Sequence, residues 1–408
     1  MRFRLEPSPA QEKLLLEHCA HARFVWNLAV EQRQHWRPGR ASAPGYVAQS
    51  RQLTEARKEF AWLAAGSQTV QQQALRDFAQ AMANFFAGTH RRPTWRNAGV
   101  HEGFRIVGQR GNQWDLRRLS RKVGQVRVPK VGWVRFRWSR DVADQAKSFR
   151  VKRDRAGRWH VCFAMFSPLI DGPDTGEIVG VDRGMAVSAA LSTGELLSAP
   201  GLRDTEARRL LRLQRRLARA KRGSNRRRRI KTAIGRLKAR EADRRKDWVE
   251  RTSTDLARRF DLIRVEDLKI KIMVRSARGT PAAPGKNVRA KAGLNRAIHA
   301  AGWGQLATRL EQKAPGRVEK IDPAYTSQTC HACGHCAAGN RESQAVFRCR
   351  ACGHTDNADV NAAKNIAAGR AVTFLPRPTD PGRPPERGAL QPLGGAVNRE
   401  PQPFLSSA

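Results

Sequence analysis

The chain has 408 residues, enough for two to four domains with proper cores. Lys and Arg number 77 against 36 Asp and Glu, a formal charge of +41 that excludes an ordinary enzyme of small metabolites and requires a polyanionic partner. The basic residues are interleaved with Leu, Val, Phe and Trp, unlike a basic disordered protein, and no apolar run approaches the ~18 residues of a membrane span, so the polyanion is expected to be nucleic acid.

In chain order, residues 1–5 alternate Arg with Phe3 and Leu5 and predict a strand. Ser8-Pro9-Ala10-Gln11 has the form of a capping box with Pro at the first helical position. Leu14, Leu15, Ala22, Val25 and Leu28 follow at helical spacing, until Pro38-Gly39 and Pro44-Gly45 break the pattern. A second helix is predicted from Ser67 to Phe86, with Leu75, Phe78, Met82 and Phe85 on one face, so residues 9–90 read as a helical domain. Gln68, Gln71, Gln72 and Gln73 form its solvated face, or else read base edges, since glutamine can hold adenine by two hydrogen bonds. Residues 91–175 turn to period-two alternation at 125–129, 134–138 and 159–163, a β-rich unit of short strands or a small barrel, with Arg and Lys outward as suits a surface following phosphates.

The apolar run 178–181 ends on Asp182 and is followed by a Gly and a returning strand. Residues 208–251 carry 20 Arg and Lys against 4 Asp and Glu, with Leu210, Leu213 and Leu217 at helical spacing and an interruption at Gly223-Ser-Asn225. A solvated charge run mixes its signs and this one does not, so a basic helical hairpin over 205–260 that contacts many phosphates is expected, with Arg226, Arg227, Arg228 and Arg229 its most charged point. A third strand near 260–268 ends in Glu266 and Asp267, and alternation alone leaves the choice between them open. The Gly/Pro/Lys-rich stretch 276–290 reads as a loop, residues 294–313 as a helix and 318–321 as a strand. Eight of the 21 prolines fall after residue 375, and 371–408 is expected to be disordered.

Two Cys-x-x-Cys pairs, Cys330/Cys333 and Cys349/Cys352, stand fifteen residues apart. They can supply four thiolates in a tetrahedron, hence one closed, structural Zn²⁺ site. Cys336, His331, His335 and His354 break the paired symmetry and are set aside as ligands. Cys19 and Cys162 read as core residues. With no signal peptide and reduced cysteines implied, the expected compartment is the cytoplasm.

Asp182, Glu266 and Asp359 each sit at the edge of an ordered element, with Asp359 as the N-cap of a helix over 360–368. Three such carboxylates can hold two Mg²⁺ ions about 4 Å apart for phosphodiester hydrolysis. The order strand–Asp, strand–Glu, helix–Asp is what a ribonuclease-H-like nuclease needs.

The ordered set GVDRG (180–184), VEDL (265–268), the paired cysteine knuckles and DVNAAKNI (359–366), with SQTVQQQALRDFAQAMANFF (67–86), resembles the TnpB family over residues 1–370. The resemblance implies a transposon-encoded, RNA-guided DNA endonuclease. Its fold would be multidomain α/β: a wedge domain (1–8 and 91–175) around a helical recognition domain (9–90), and a RuvC-like, RNase H-like nuclease domain (176–321 and 355–370) with a zinc ribbon inserted at 322–354. It implies Asp182, Glu266 and Asp359 as catalytic, Mg²⁺-binding acids, Gln68 and Gln72 near the helix that reads a motif beside the target, and a guide RNA and double-stranded target DNA as partners. One complete acid set per chain suggests one copy per guide, in a bacterial or archaeal cytoplasm. The charge then follows, since a heteroduplex on the order of 20 base pairs is held by its backbone while base pairing supplies sequence. Alternatives are a small type V CRISPR effector, an RNA-guided repressor that no longer cleaves, and a zinc-ribbon RNA-binding protein without catalysis.

Overall fold

A computed structural model describes residues 1–35, 43–108, 110–142, 146–165 and 169–369. The expected disordered tail at 371–408 and the Pro38-Gly39 break lie outside the described residues.

The N-terminal half consists of β1 (Arg2–Glu6), α1 (Pro9–Gln34), α2 (Tyr46–Glu59), α3 (Ala61–Ala65) and α4 (Gln68–Phe86), then β2 (Gly103–Val107), β3 (Asp115–Ser120), β4 (Val123–Val128), β5 (Gly132–Arg137), β6 (Ser148–Arg153) and β7 (Trp159–Phe163). The capping box forms as read: Ser8 Oγ accepts from the Gln11 N–H and Gln11 Oε1 accepts from the Ser8 N–H, at 3.3 and 3.1 Å. The spacing gives no sign of α2, because only Gln49 and Leu53 of its fourteen residues are buried.

The seven strands form one antiparallel sheet in the order β2-β6-β7-β1-β5-β4-β3, and β1 joins its two halves by pairing with both β7 and β5. Val126, Val134, Phe136, Val151 and Val161 alternate inward, while Arg117, Arg135, Arg137 and Lys152 are exposed. The sheet curls on itself: Trp114, beside β3, lies 5.3 Å in edge contact from Phe149 on β6. Among the described residues no pairing between β2 and β3 closes it. Leu15, Cys19 and Val25 of α1 and Leu75 and Phe78 of α4 pack into the same core as Phe104 and Ile106, so helices and sheet share one apolar interior.

The C-terminal half holds β8 (Ile178–Asp182), β9 (Ala189–Leu191), β10 (Leu196–Leu197), α5 (Asp204–Arg219), α6 (Asn225–Arg259), β11 (Leu262–Glu266), α7 (Ile270–Met273), α8 (Val288–Ala301), α9 (Trp303–Lys313) and β12 (Val318–Ile321), then β13 (Val346–Arg348), β14 (Thr355–Asn357) and α10 (Ala358–Ala367). The single helix expected at 294–313 is two helices, because Gly302 takes a left-handed φ of +76° between them. The sheet order is β10-β9-β8-β11-β12, with β8, β11 and β12 parallel and β9 and β10 antiparallel.

Period two divides this sheet cleanly. Val179, Val181, Ile263 and Val265 pack on Leu256 of α6 and on Leu306 and Leu310 of α9. Gly180 and Arg264 face the other way, against α10: a Cβ at Gly180 would lie 2.0 Å from the Ala363 carbonyl oxygen, and Arg264 Nη1 donates to the Ala367 carbonyl at 2.6 Å. Asp182 and Glu266 continue that second face.

α5 and α6 form the expected basic hairpin around a small core of Leu210, Leu213, Ile230 and Leu237. Ser224 caps α6, accepting from the Arg227 N–H at 3.2 Å.

Candidate active site and cysteine cluster

Asp182 ends β8 and Glu266 ends the parallel neighbour β11, one step past the paired residues Val181 and Val265. The two acids that end the third strand differ in their surroundings. Glu266 lies on the α10 face and is 8% exposed, whereas Asp267 turns outward and pairs with Lys269. Asp359 comes from the opposite side, in the first turn of α10, but not as its N-cap. Asn357 is the cap, its Oδ1 accepting from the Asp359 and Val360 N–H groups at 3.0 and 3.2 Å. Because Asn357 satisfies those amides, the Asp359 carboxylate is free to face the sheet.

The three acids share one field. Asp182 is pushed up to about 8, first by burial, then by the charges of Glu266 and Asp359, and burial also pushes Glu266 up. Two arginines offset them. Arg183, itself buried, gives its backbone N–H to Glu266 Oε2 at 3.3 Å and its guanidinium to the Glu266 carbonyl, while Trp303 Nε1 donates to the Gly184 carbonyl at 2.9 Å. Arg341 reaches in from the loop between the cysteine pairs and donates to Asp359 Oδ1 at 2.9 Å. Reasoning from sequence missed both. Arg183 was visible beside Asp182 in GVDRG, but Arg341 carries no local signal.

Burial and the neighbouring negative charges oppose ionisation of Asp182, and a divalent cation among the acids would favour the ionised form. Without such an ion the folded state holds the Asp182 proton to about pH 8, whereas an unfolded carboxylate releases it near pH 4. Stability of the ion-free protein is therefore expected to fall as pH rises across that window. A divalent cation held by these acids at pH 7 would release protons. Calorimetry in two buffers of different ionisation enthalpy tests this, and equal heats would refute it.

The cysteines converge as read. The four Sγ atoms all lie within 4.8 Å of one another, with Cys330–Cys352 at 3.8 Å and Cys333–Cys349 at 3.6 Å. A tetrahedron with 2.3 Å metal–sulfur bonds has edges of about 3.8 Å, so the donor set fits zinc. Gly334 and Gly353 take positive φ, and their N–H groups donate to the Cys330 and Cys349 carbonyls at 2.9 and 3.0 Å. The asparagines of DVNAAKNI stitch this cluster to α10. Asn361 and Asn365, both buried, donate to the Thr329 carbonyl at 2.8 and 2.7 Å, and Asn361 Oδ1 accepts the His331 N–H at 3.1 Å. The helix that carries Asp359 is thus bolted to the cysteine cluster.

The residues named for nucleic acid lie apart from the acids along the chain. Gln68 is exposed and Gln72 half-buried on α4, but Gln71 and Gln73 are buried and form no solvated face. Gln71 accepts from Arg57 and donates to the Leu63 carbonyl at 2.8 Å, joining α3 and α4. On α6, Arg226, Arg228 and Arg229 are exposed, whereas Arg227 Nη1 donates to the Leu217 and Ala220 carbonyls at 2.6 and 2.9 Å and closes the end of α5. No helix among the described residues is long and apolar enough to cross a membrane.

Comparison with known proteins identifies relatives along most of the chain. A family model described as "Cas12f1-like, TNB domain" matches residues 303–366, one described as "Probable transposase" matches 160–277, and one described as "Helix-turn-helix domain" matches 1–40. The proposed RNA-guided DNA endonuclease InsQ of Escherichia coli (strain K12) is 36% identical over 391 residues, covering 94% of this chain and 95% of that protein. A proposed RNA-guided DNA endonuclease of Streptomyces pristinaespiralis is 30% identical, covering 98% and 96%. Among solved structures, Cas12f1 in its complex with guide RNA and target DNA superposes with a TM-score of 0.55 at 17% identity, over 88% of this chain and 82% of that one, a likeness of fold. At this identity along nearly the full length of both proteins, the chain belongs to the TnpB family, the transposases of the IS605 OrfB type.

Proposed function

We propose that this protein is the RNA-guided DNA endonuclease of a transposon, cleaving target DNA beside a short motif with Asp182, Glu266 and Asp359. The observation that carries the reading is that two neighbouring parallel strand ends and the first turn of α10 bring these acids near enough for the charges of Glu266 and Asp359 to add to burial in pushing Asp182 up to about 8. In this reading the five-stranded sheet and α10 are the RuvC-like nuclease domain, the cysteine segment is a structural zinc ribbon, and the seven-stranded sheet is the wedge beside the recognition helices. One chain serves one guide RNA.

The three carboxylates would hold Mg²⁺, which supplies charge neutralisation and an activated water for phosphodiester hydrolysis. The protein does the positioning. The β8–β11 pairing fixes Asp182 beside Glu266, Arg183 holds the Glu266 backbone and carboxylate, and Asn357 sets the first turn of α10. Arg341 brings a guanidinium to the site's edge, where phosphate oxygens would meet it.

The test is plasmid cleavage by the protein co-expressed with RNA from its own locus, with a randomised motif flanking the target and Mg²⁺ or EDTA supplied. Motif-dependent cutting that EDTA abolishes is expected. Motif-dependent binding without cutting would turn the assignment to a repressor.

The exposed arginines at the head of α6 are expected to carry phosphate contacts. Replacing Arg226, Arg228 and Arg229 together by Gln should flatten the dependence of log K for RNA on log salt by about 2–3 units of slope, since each neutralised phosphate contributes about 0.7–0.9. An unchanged slope would place the RNA elsewhere. Arg227→Gln should instead lower hairpin stability, because its guanidinium caps α5.

A further inference from the structure

The zinc cysteines leave unused a group of side chains on the same ribbon. His331 lies inside the first knuckle, His354 follows the second, and Asp356 is on β14. One ligand atom from each lies within 4.8 Å of the other two. The imidazoles meet edge to face at 4.7 Å between centroids. His331 Nδ1 and His354 Nε2 are both inaccessible to solvent and find no hydrogen-bond partner among the described residues. Buried polar atoms without partners are rare in native proteins, and two on neighbouring imidazoles are a sign of a missing ligand. His354 Nε2 stands 3.8 Å from Asp356 Oδ2, which Lys364 Nζ also contacts at 2.8 Å.

We propose that His331, His354 and Asp356 form a second metal site, separate from the four cysteines, for a borderline divalent transition ion such as Zn²⁺ or Co²⁺. Two neutral imidazoles and one carboxylate are the donors such ions prefer, with water completing the shell. Backbone bonds already fix the two histidines: the His331 N–H donates to Asn361 Oδ1 at 3.1 Å, and the His354 carbonyl accepts from the Cys349 N–H at 2.8 Å. Bonds of about 2.0–2.1 Å need donors roughly 3.3 Å apart, so rotamer shifts of the order of an ångström complete the site. The hard, oxygen-seeking Mg²⁺ does not suit it. Lys364 is the competitor: its ammonium holds Asp356 from a flexible stem and must release it when the ion enters. An ion there would tie both knuckles to the strand that leads into α10, the helix bearing Asp359.

The experiment titrates zinc-loaded, full-length protein, purified with its RNA, with Co²⁺ while excess Mg²⁺ fills the three nuclease carboxylates. One further equivalent of Co²⁺ per chain is expected, with the visible bands of a four- or five-coordinate ion and no thiolate charge-transfer absorption, which separates it from exchange into the cysteine site. His331→Ala and His354→Ala should abolish these bands while keeping one zinc per chain. Lys364→Met should tighten the second equivalent about tenfold, the order expected on freeing a carboxylate from a charge-assisted hydrogen bond. That variant decides the matter even where a histidine change unsettles the knuckle. Bands absent from the wild type, bands surviving both histidine changes, or Co²⁺ affinity unchanged or weakened in Lys364→Met would each overturn the proposal.

Discussion

Asp182→Ala is expected to lower target cleavage by about a thousandfold or more while RNA binding and zinc content stay as in the wild type. Metal-centred stabilisation of a phosphodiester transition state is worth several kcal/mol, and about 4 kcal/mol corresponds to three decades in rate. Asp182 sits where the fields of Glu266 and Asp359 meet, so no neighbouring carboxylate replaces it. Glu266→Gln and Asp359→Ala should fall to the same floor, and the Asp182→Ala/Glu266→Gln pair should be no worse than either alone, because groups that act as one unit are not additive. Removing Asp182 also removes like-charge repulsion from a buried site, so the ion-free variant should melt no lower than the wild type above pH 7. The comparison needs single-turnover cleavage, RNA affinity and a melting curve on the same preparations. Cleavage within tenfold of wild type would remove Asp182 from the site. A fall in RNA affinity would make the defect one of assembly.

The parts of the molecule that announce themselves in sequence are those whose chemistry is local. The Ser8–Gln11 box, the helix to Phe86 and the cysteine knuckles each depend on residues a few positions apart, and each forms where spacing puts it. The acids were legible as strand and helix ends, but which of Glu266 and Asp267 faces inward was not. That choice depends on which side of β11 meets α10, a fact set by Gly180 on a different strand. Gln71 looked like surface because its partners, Arg57 and the Leu63 carbonyl, lie on the preceding helices. Leu28 has the right spacing for the core of α1 yet is 41% exposed, because it lines an open apolar groove with Phe24, Leu53, Phe60 and Trp62 rather than the closed interior. Nothing in the local spacing marks Asn357, Asn361 and Asn365, and the fold reveals one as a cap and two as the bolts between α10 and the cysteine cluster. Arg341 is the extreme case, eighteen positions before the carboxylate it meets, in a loop of no regular pattern.

Gly180→Ala should be nearly as damaging to cleavage as loss of an acid, although it removes no chemical group. Gly180 takes no unusual φ, so its role is not turn geometry but close approach: α10 crosses β8 with its backbone almost on the Gly180 Cα. The added methyl would fall 2.0 Å from the Ala363 carbonyl oxygen and 2.4 Å from the Ala367 nitrogen. Both are helix backbone, which cannot rotate aside as a side-chain tip would, so either β8 or α10 must move. The seven-stranded sheet and its helical core lie elsewhere and should be untouched. β8 is gripped on its other face by Leu256, Leu306 and Leu310 and flanked by β9 and β11, so α10 is the element that yields. Asp359 then leaves Asp182, and the cost in stability is of the order of overpacking a core, about 1–3 kcal/mol. The cysteine cluster moves with α10 through Asn361 and Asn365 and should keep its metal. The expected signature is therefore cleavage down about a hundredfold or more, a lower melting temperature, unchanged zinc content and unchanged RNA affinity. Because Asp182 would lose one of its charged neighbours, Mg²⁺ binding at pH 7 should also release fewer protons than in the wild type. Wild-type cleavage in Gly180→Ala would mean that α10 does not dock on β8 in the working protein, and the three acids would then need another route to one site.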